Sequence, residues 1–251
     1  MSGSDASGGA GLQADNRAIM GCGGFPLNVV TALTLQTPAG VQSLDVSHPE
    51  LVLRHLIGLL KAYPVQAIKT GMLGSGGIVK ALTETVSRYP EIPLVVDPAL
   101  RSTSGRPLLD EDGIQELKNG LLPLCDLITP NLLELAELTS RDGILSGPEE
   151  RDAAQQLLEA GCGAVLVKGG HREGDSVRDM LYSRDGEQEF PGERVATPNT
   201  RGTGCSLASG IAAGMAASRD LPSAINQAKS MLQNSLELHK DVVWPGSGPA
   251  M

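Results

Sequence analysis

From about residue 65 onward, the apolar positions of this chain fall into two alternating rhythms. Short runs rich in Val, Ile and Leu, at Val65 to Lys69, Pro93 to Asp97, Asp126 to Thr129 and Ala164 to Lys168, are too brief for helices and read as strands. Between them, stretches near 49–62, 76–88, 110–120, 131–139 and 149–160 carry helical patterns, with Asp110 and Pro148-Glu149 as start signals. Strands that alternate with helices predict parallel βαβ units and an α/β domain. In such sheets, ligands bind in the crevice outside the carboxyl ends of the strands, so functional residues are expected where each apolar run turns polar.

After Lys168 the rhythm changes. Asp179 to Ser183 and Glu187 to Phe190 read as antiparallel strands around the Asp185-Gly186 turn. Two longer helices follow, one rich in Ala, Gly and Ser from Gly204 to about Ala217 and one from about Pro222 to His239. Neither an internal repeat nor a low-complexity linker divides the chain, so residues 1–251 are expected to form one domain.

Composition narrows the partners more than the fold. Aromatic residues are only 2% of the chain, so Leu, Val, Ile and Ala must fill the core. A net charge of -9 argues against nucleic acid as a partner, because a polyanion needs a basic face, and any anionic ligand must be held by a local site. The sequence contains no apolar run long enough to span a bilayer, and its N-terminus has no basic or apolar leader pattern; a cytoplasmic location is expected. The four cysteines, Cys22, Cys125, Cys162 and Cys205, show neither zinc-ligand spacing nor a dense disulfide pattern.

Several strand ends carry candidate chemistry, each with a plainer alternative. The turn Asn199-Thr200-Arg201-Gly202-Thr203-Gly204-Cys205 opens a helix whose first amides and positive dipole end suit an anion, or it merely joins a hairpin to a helix. Cys205 lies in the first turn of that helix, where a thiol pKa can be lowered, or it is a packing residue. Asn131 and Glu134 share a helix face and, with Asp97, suit magnesium or phosphate oxygens; equally, they suit a capping box. Lys168, followed by Gly169-Gly170-His171, suits nucleotide phosphates or is a solvated strand-end lysine. The loop Gly3 to Gly11 suits backbone contact with a small ligand, or is a remnant of expression. Gln36, at the end of the apolar run Val30 to Leu35, suits the edge of a heterocycle or is a surface strand terminus.

Taken in order, Gly3-Ser4-Asp5 through Gly11 to Asp15, Thr31 to Gln36, Lys69-Thr70-Gly71-Met72-Leu73, Thr129-Pro130-Asn131 to Glu134, Lys168 to His171 and Asn199 to Cys205 resemble one family. It is the hydroxymethylpyrimidine/phosphomethylpyrimidine kinase family of thiamin biosynthesis, within the ribokinase-like superfamily. The resemblance runs from residue 2 to about residue 235. It implies a three-layer sandwich with a mostly parallel central sheet between helices. It also implies ATP- and Mg²⁺-dependent transfer to 4-amino-5-hydroxymethyl-2-methylpyrimidine and then to its monophosphate, in a homodimer. By this resemblance Gly3, Asp5, Asp15, Gln36 and Met72 serve the pyrimidine, and Lys168, Gly170 and Thr200 the nucleotide. Asp97, Glu134 and Asn131 would serve the metal, and Gly202, Thr203, Gly204 and Cys205 the transferring phosphoryl group.

Two departures from the family pattern stand out. Relatives have an apolar strand running into the Gly-Ser-Asp loop, whereas here Met1 stands one residue before Gly3, so that first strand is expected to be missing. Arg201 replaces a frequent histidine, which is expected to strengthen phosphate binding or alter nucleotide handling. The alternatives are a pyridoxal or pyridoxine kinase on the same fold, and a truncated form that binds ligand without turnover.

Overall fold

The structure is a computed structural model and describes residues 1–37, 40–102, 105–170, 176–244 and 246–250. Its strands are β1 (Ser2–Asp5), β2 (Val30–Thr37), β3 (Gly40–Val46), β4 (Ile68–Thr70), β5 (Leu94–Val96), β6 (Leu127–Ile128), β7 (Ala164–Val167), β8 (Ser176–Ser183) and β9 (Gly186–Glu193). Its α-helices are α1 (Gly11–Gly21), α2 (Pro49–Ala62), α3 (Gly76–Val86), α4 (Glu111–Glu116), α5 (Leu132–Leu138), α6 (Gly147–Glu159), α7 (Thr203–Ala216) and α8 (Leu221–His239). The β4 to β7 strands are parallel, and β8 and β9 continue that sheet antiparallel. A second ladder, β1-β2-β3, joins it where Met1 N donates to Lys69 O and Gly71 N donates to Met1 O.

Alternation along the central strands explains why both faces need helices. Val165 and Val167 point into one apolar cluster, and Ala164 and Leu166 into the other. In β5, Leu94 and Val96 divide from Val95 in the same way. The larger cluster includes apolar residues of α2, α3, α5 and α6; the smaller takes α7 and α8. This is the expected three-layer arrangement, with a core made of aliphatic side chains.

The elements match the sequence rhythm, with most boundaries moved by a few residues. The strand expected at Val65 to Lys69 is Ile68–Thr70, and the helix expected at 110–120 is α4 followed by a π-helical turn, Leu117–Leu121. Asp110 does start α4, accepting from Gly113 N at 2.7 Å and from Gly76 N at 2.9 Å, so one carboxylate caps α4 and ties down the start of α3. The β3 strand, which the sequence reading did not identify, pairs with β2 as a hairpin whose register shifts between Leu35 and Gln36.

The expectation that the first strand is missing is corrected. Ser2–Asp5 pair with β2 in parallel, with Gly3 opposite Ala32 and Asp5 opposite Thr34. A ladder needs backbone groups, not apolar side chains, and small residues suit a slot where Met72 lies across Gly3: a Cβ there would stand 2.6 Å from Met72 Cε. A cleft of about 330 Å³ continues along the line of β1, with Leu27, Asn28 and Val29 on one wall and Gln66, Ala67 and Ile68 on the other.

The α7 and α8 helices meet through small residues. A Cβ on Gly214 would lie 2.7 Å from Ala224 Cβ, whereas one on Gly58 in exposed α2 would meet nothing within 4 Å. Gly58→Ala should therefore raise unfolding stability by about 0.5–1 kcal/mol through helix propensity. Gly214→Ala should lower it by about 1–3 kcal/mol despite the same propensity gain, because it overpacks the helix contact. Urea unfolding of the two variants checks the opposite signs.

Candidate active site

The sheet aims three loops at one cavity of about 830 Å³ along its carboxyl edge. Asp97 follows β5, Asn131 and Glu134 follow β6, and Lys168 follows β7. Because β5, β6 and β7 are adjacent, their polar ends converge. Lys168 Nζ lies 2.8 Å from Asp97 Oδ1 and 3.7 Å from Glu134 Oε2, with all three side chains largely buried. Thr129 Oγ1 also donates to Asp97 Oδ1, at 3.4 Å.

Burial opposes charge on all three groups, and their mutual attraction decides the outcome. For Lys168 the attraction of Asp97 and Glu134 outweighs burial, so its ammonium is held above the ordinary lysine range. Asp97 is lowered because Lys168 and Lys69 outweigh its desolvation. Glu134 is raised by burial, and by the neighbouring charge of Asp97, beyond what Lys168 recovers. Two carboxyls about one ammonium thus acquire different proton affinities.

Asn131 makes the plainer arrangement as well. Its Oδ1 accepts from Leu133 N and Glu134 N, both at 2.9 Å, while Glu134 Oε2 accepts from Asn131 N at 2.8 Å. This capping box fixes the Glu134 carboxylate at the cavity wall, and Asn131 lines the wall too. Among the described residues no group of three or more His, Cys, Asp or Glu could hold a metal ion alone. Magnesium commonly binds through one or two carboxylates together with substrate phosphates, and the Asp97–Glu134 pair fits that pattern.

The glycine turn lies opposite this cluster. Gly202 adopts φ 80°, and a Cβ on it would lie 2.4 Å from Gly9 O, so only glycine fits. A Cβ on Gly204 would stand 3.2 Å from Lys168 Nζ, which places the ammonium against the first turn of α7. That turn has amides without intrahelical partners and the positive dipole end, so lysine and helix favour one anion together. Asn199 braces the turn from behind: its Nδ2 donates to His239 O and Val242 O, and its Oδ1 accepts from Gly248 N.

Arg201 departs from expectation. Its Nη2 donates to Asp5 Oδ2 at 2.9 Å and to Ser7 Oγ at 2.8 Å, and its guanidinium packs on Gly9. Asp5 also accepts from Ser7 N, Ser7 Oγ, Gly9 N and Ala10 N. The carboxylate is thus occupied in folding the N-terminal loop, and Arg201 in pinning that loop to the glycine turn before α7. Asp5 borders the cavity as a scaffold, and Arg201 acts there as a strut.

Of the remaining expected residues, Gly3, Gln36, Met72, Gly170, Thr200 and Thr203 all line the cavity. Asp15 does not. It faces the smaller cleft, where Oδ1 holds Lys69 Nζ at 2.7 Å and accepts from Ser209 Oγ at 2.8 Å, so its assignment to the pyrimidine pocket is corrected. His171 lies outside the described residues. Several further lining residues were not singled out in the sequence, although one group carried a signal there. Val41 comes from the unrecognised β3, and Ala99 lines the wall with a positive φ of 43° that no motif announces. The stripe Asn226, Lys229, Ser230 and Gln233 on α8 was legible as a polar helical face. Within it Lys229 forms an ion pair with Asp179, which also accepts from Gly169 N at 2.8 Å and so fixes the glycine loop after β7.

Cys205 lines the cavity on the first turn of α7. The expectation of a lowered thiol pKa does not hold: burial pushes it up to about 11, and Asp15 and Asp97 add to this against the opposing pull of Lys69 and the Gly11 amide.

A cavity along the carboxyl ends of a parallel sheet, with a buried lysine, two carboxylates and a glycine-rich helix start, defines the ribokinase-like class of small-molecule kinases. The chain belongs to the phosphomethylpyrimidine kinase family, whose model matches residues 5–250. It is 38% identical over 236 residues to the hydroxymethylpyrimidine/phosphomethylpyrimidine kinase of Escherichia coli, covering 94% of this chain and 89% of that one. The crystal structure of phosphomethylpyrimidine kinase from Clostridium difficile matches with a TM-score of 0.79 at 31% identity, covering 91% of this chain and 94% of that one. An ADP complex of Bacillus subtilis pyridoxal kinase matches with a TM-score of 0.88 at 25% identity, covering 99% and 93%.

The raised thiol has a stability consequence with a definite sign. The folded pKa of about 11 lies above the ordinary 9.0, so between these values the native state holds a proton that the unfolded chain has lost. Stability from this group is complete below pH 9 and is lost as pH rises toward 11. Cys205→Ala should therefore show a shallower fall of urea midpoint across this window than the parent protein. Parallel slopes would exclude the raised thiol.

Proposed function

We propose that this protein transfers the terminal phosphoryl group of ATP to 4-amino-5-hydroxymethyl-2-methylpyrimidine, and then transfers a second to the monophosphate, in thiamin biosynthesis. The observation that carries this reading is the convergence of Lys168, Asp97 and Glu134 on the amino end of α7, beside Cys205. Family membership supports the acceptor, and the ADP complex of the pyridoxal kinase supports the nucleotide.

Sheet order supports a division of the cavity into two ends. Gly3, Gln36, Val41 and Met72 come from the β1–β3 side and from the loop after β4, and they form the pyrimidine end. Gly170, Thr200 and the α8 stripe come from the β7–β9 side and form the nucleotide end. The transferring group lies between, at Gly202, Thr203 and Gly204. Asp97 and Glu134 would hold Mg²⁺ through the nucleotide phosphates, with Asn131 fixing Glu134; the ion supplies charge neutralisation during transfer.

In the first transfer, the acceptor hydroxyl oxygen bonds to the terminal phosphorus, the bond from that phosphorus to its bridging oxygen breaks, and ADP leaves. The hydroxyl proton passes to solvent, directly or by way of the Cys205 thiolate. Catalysis of this kind rests on positioning and charge stabilisation, which Lys168 and the α7 amides provide. Cys205 faces the acceptor, and with its pKa near 11 only its small thiolate fraction serves as a base at neutral pH. If it does serve, kcat/KM should climb about tenfold per pH unit on the acid side of that pKa in the parent enzyme. The same plot should be nearly flat in Cys205→Ala; identical profiles would make Cys205 a packing residue.

The second reading, a pyridoxal kinase, is favoured by the structural match to that enzyme. Incubation with Mg·ATP and each acceptor separates the two. Mono- and diphosphate products from the hydroxymethylpyrimidine, at a kcat/KM well above that for pyridoxal, are expected; the reverse preference would overturn the assignment. The protein is read as cytoplasmic; no described helix is long and apolar enough to cross a membrane. A homodimer is supported by Leu33 and Leu35, more than half exposed on the outward face of β2. Leu35→Glu should convert a dimeric mass in light scattering to a monomeric one.

A further inference from the structure

Two cysteines unused by the site stand together at the other end of the sheet. Cys125 follows a 3-10 turn, Leu122–Leu124, and lies two residues before β6; Cys162 lies two residues before β7. Their Sγ atoms are 3.1 Å apart, and both residues are buried. The backbones are held close: Gly163 N donates to Cys125 O at 2.9 Å, and a Cβ on Gly163 would lie 2.7 Å from Asp126 O. The strands that follow pair in parallel through Ile128 and Val165. Neighbouring parallel strands hold their Cα atoms at a separation compatible with a disulfide, and closing the pair needs a sulfur shift of about 1 Å.

We propose that Cys125 and Cys162 form an oxidisable pair that closes into an intramolecular disulfide across the starts of β6 and β7. A small-molecule disulfide such as oxidised glutathione supplies the oxidising equivalents. One cysteine thiolate attacks it, forming a mixed disulfide and releasing one glutathione thiol. The second cysteine then attacks the cysteine sulfur of the mixed disulfide, forming the Cys125–Cys162 bond and releasing the second glutathione thiol. Two cysteine protons end on the two glutathione thiols, and the oxidant takes up both electrons. The bond encloses residues 126–161, including α5 with Glu134 and all of α6. It fastens the amino ends of the two strands whose carboxyl ends carry Glu134 and Lys168.

Burial of both sulfurs makes attack on the folded protein slow, so refolding is the decisive condition. The reduced, denatured parent chain and a Cys22→Ser/Cys205→Ser variant are refolded in a glutathione redox buffer. Expected are loss of two titratable thiols, loss of two hydrogens in mass, and a proteolytic fragment linking Cys125 to Cys162. Thermal unfolding of the oxidised form should rise by about 5–10 °C, reversibly with dithiothreitol. Adding Cys125→Ser should abolish the link and the thermal shift. Complete alkylation of both thiols after folding in this buffer, a link to Cys22 or Cys205 in the parent chain, or an oxidised form that melts no higher than the reduced one would overturn the proposal.

Discussion

A buried ammonium between two carboxylates organises this molecule. Lys168 sits at the end of β7 with Asp97 from β5 and Glu134 from the start of α5, and none of the three would be stable there alone. An isolated buried charge is expensive, so each group constrains where the others stand and in what protonation state. The cluster therefore links the carboxyl ends of three strands by side-chain contacts beyond their backbone ladders. It also faces the start of α7, where Gly202 and Gly204 flank Thr203. Gly204, without a side chain, leaves Lys168 room against that helix: a Cβ there would stand 3.2 Å from its Nζ. The geometry expected to receive a phosphoryl group thus follows from solving the burial of a lysine.

A second constraint works at the N-terminal edge. The loop after β1 has little apolar content, and its order comes from the Asp5 carboxylate accepting from three amides, one hydroxyl and the Arg201 guanidinium. Arg201 in turn belongs to the turn that starts α7, so the N-terminal loop and the glycine turn are held as one body. The Gly9 contact with that guanidinium and the Gly202 contact with Gly9 O leave no room for side chains at either position. Asp5 and Gly202, which line the cavity, are at the same time part of the frame that holds this loop against the turn. The fixed charge expected at Arg201 to strengthen phosphate binding is largely taken up by Asp5.

What the sequence disclosed, and what it hid, follows from the range of the interactions involved. Central strands and their covering helices were legible because alternation and helical spacing are local patterns; the pairs Leu94/Val95 and Leu166/Val167 divide between two cores as period two requires. Residues at the strand ends were found as motifs, and nearly all of them meet in one cavity. The failures concern partners distant in the chain. Asp15 looks like a pocket residue until Lys69, fifty-four residues away, is seen to hold it beneath α7. The β1 strand was expected to be missing because no apolar run leads into Gly3, yet Ser2–Asp5 themselves pair with β2, and Met72 lies across Gly3. Ala99, with positive φ, has no sequence signature at all.

The same distance argument bears on Cys205. A helix start should lower a thiol pKa, and the local sequence contains nothing to oppose it. The fold brings Asp15 and Asp97 toward it and removes water, and these effects exceed the opposing pull of Lys69 and the Gly11 amide. At neutral pH the Cys205 thiol therefore adds no charge to a wall that already carries Asp97 and Glu134. In the proposed reaction it would lessen the electrostatic opposition to the phosphates while keeping a titratable atom beside the acceptor.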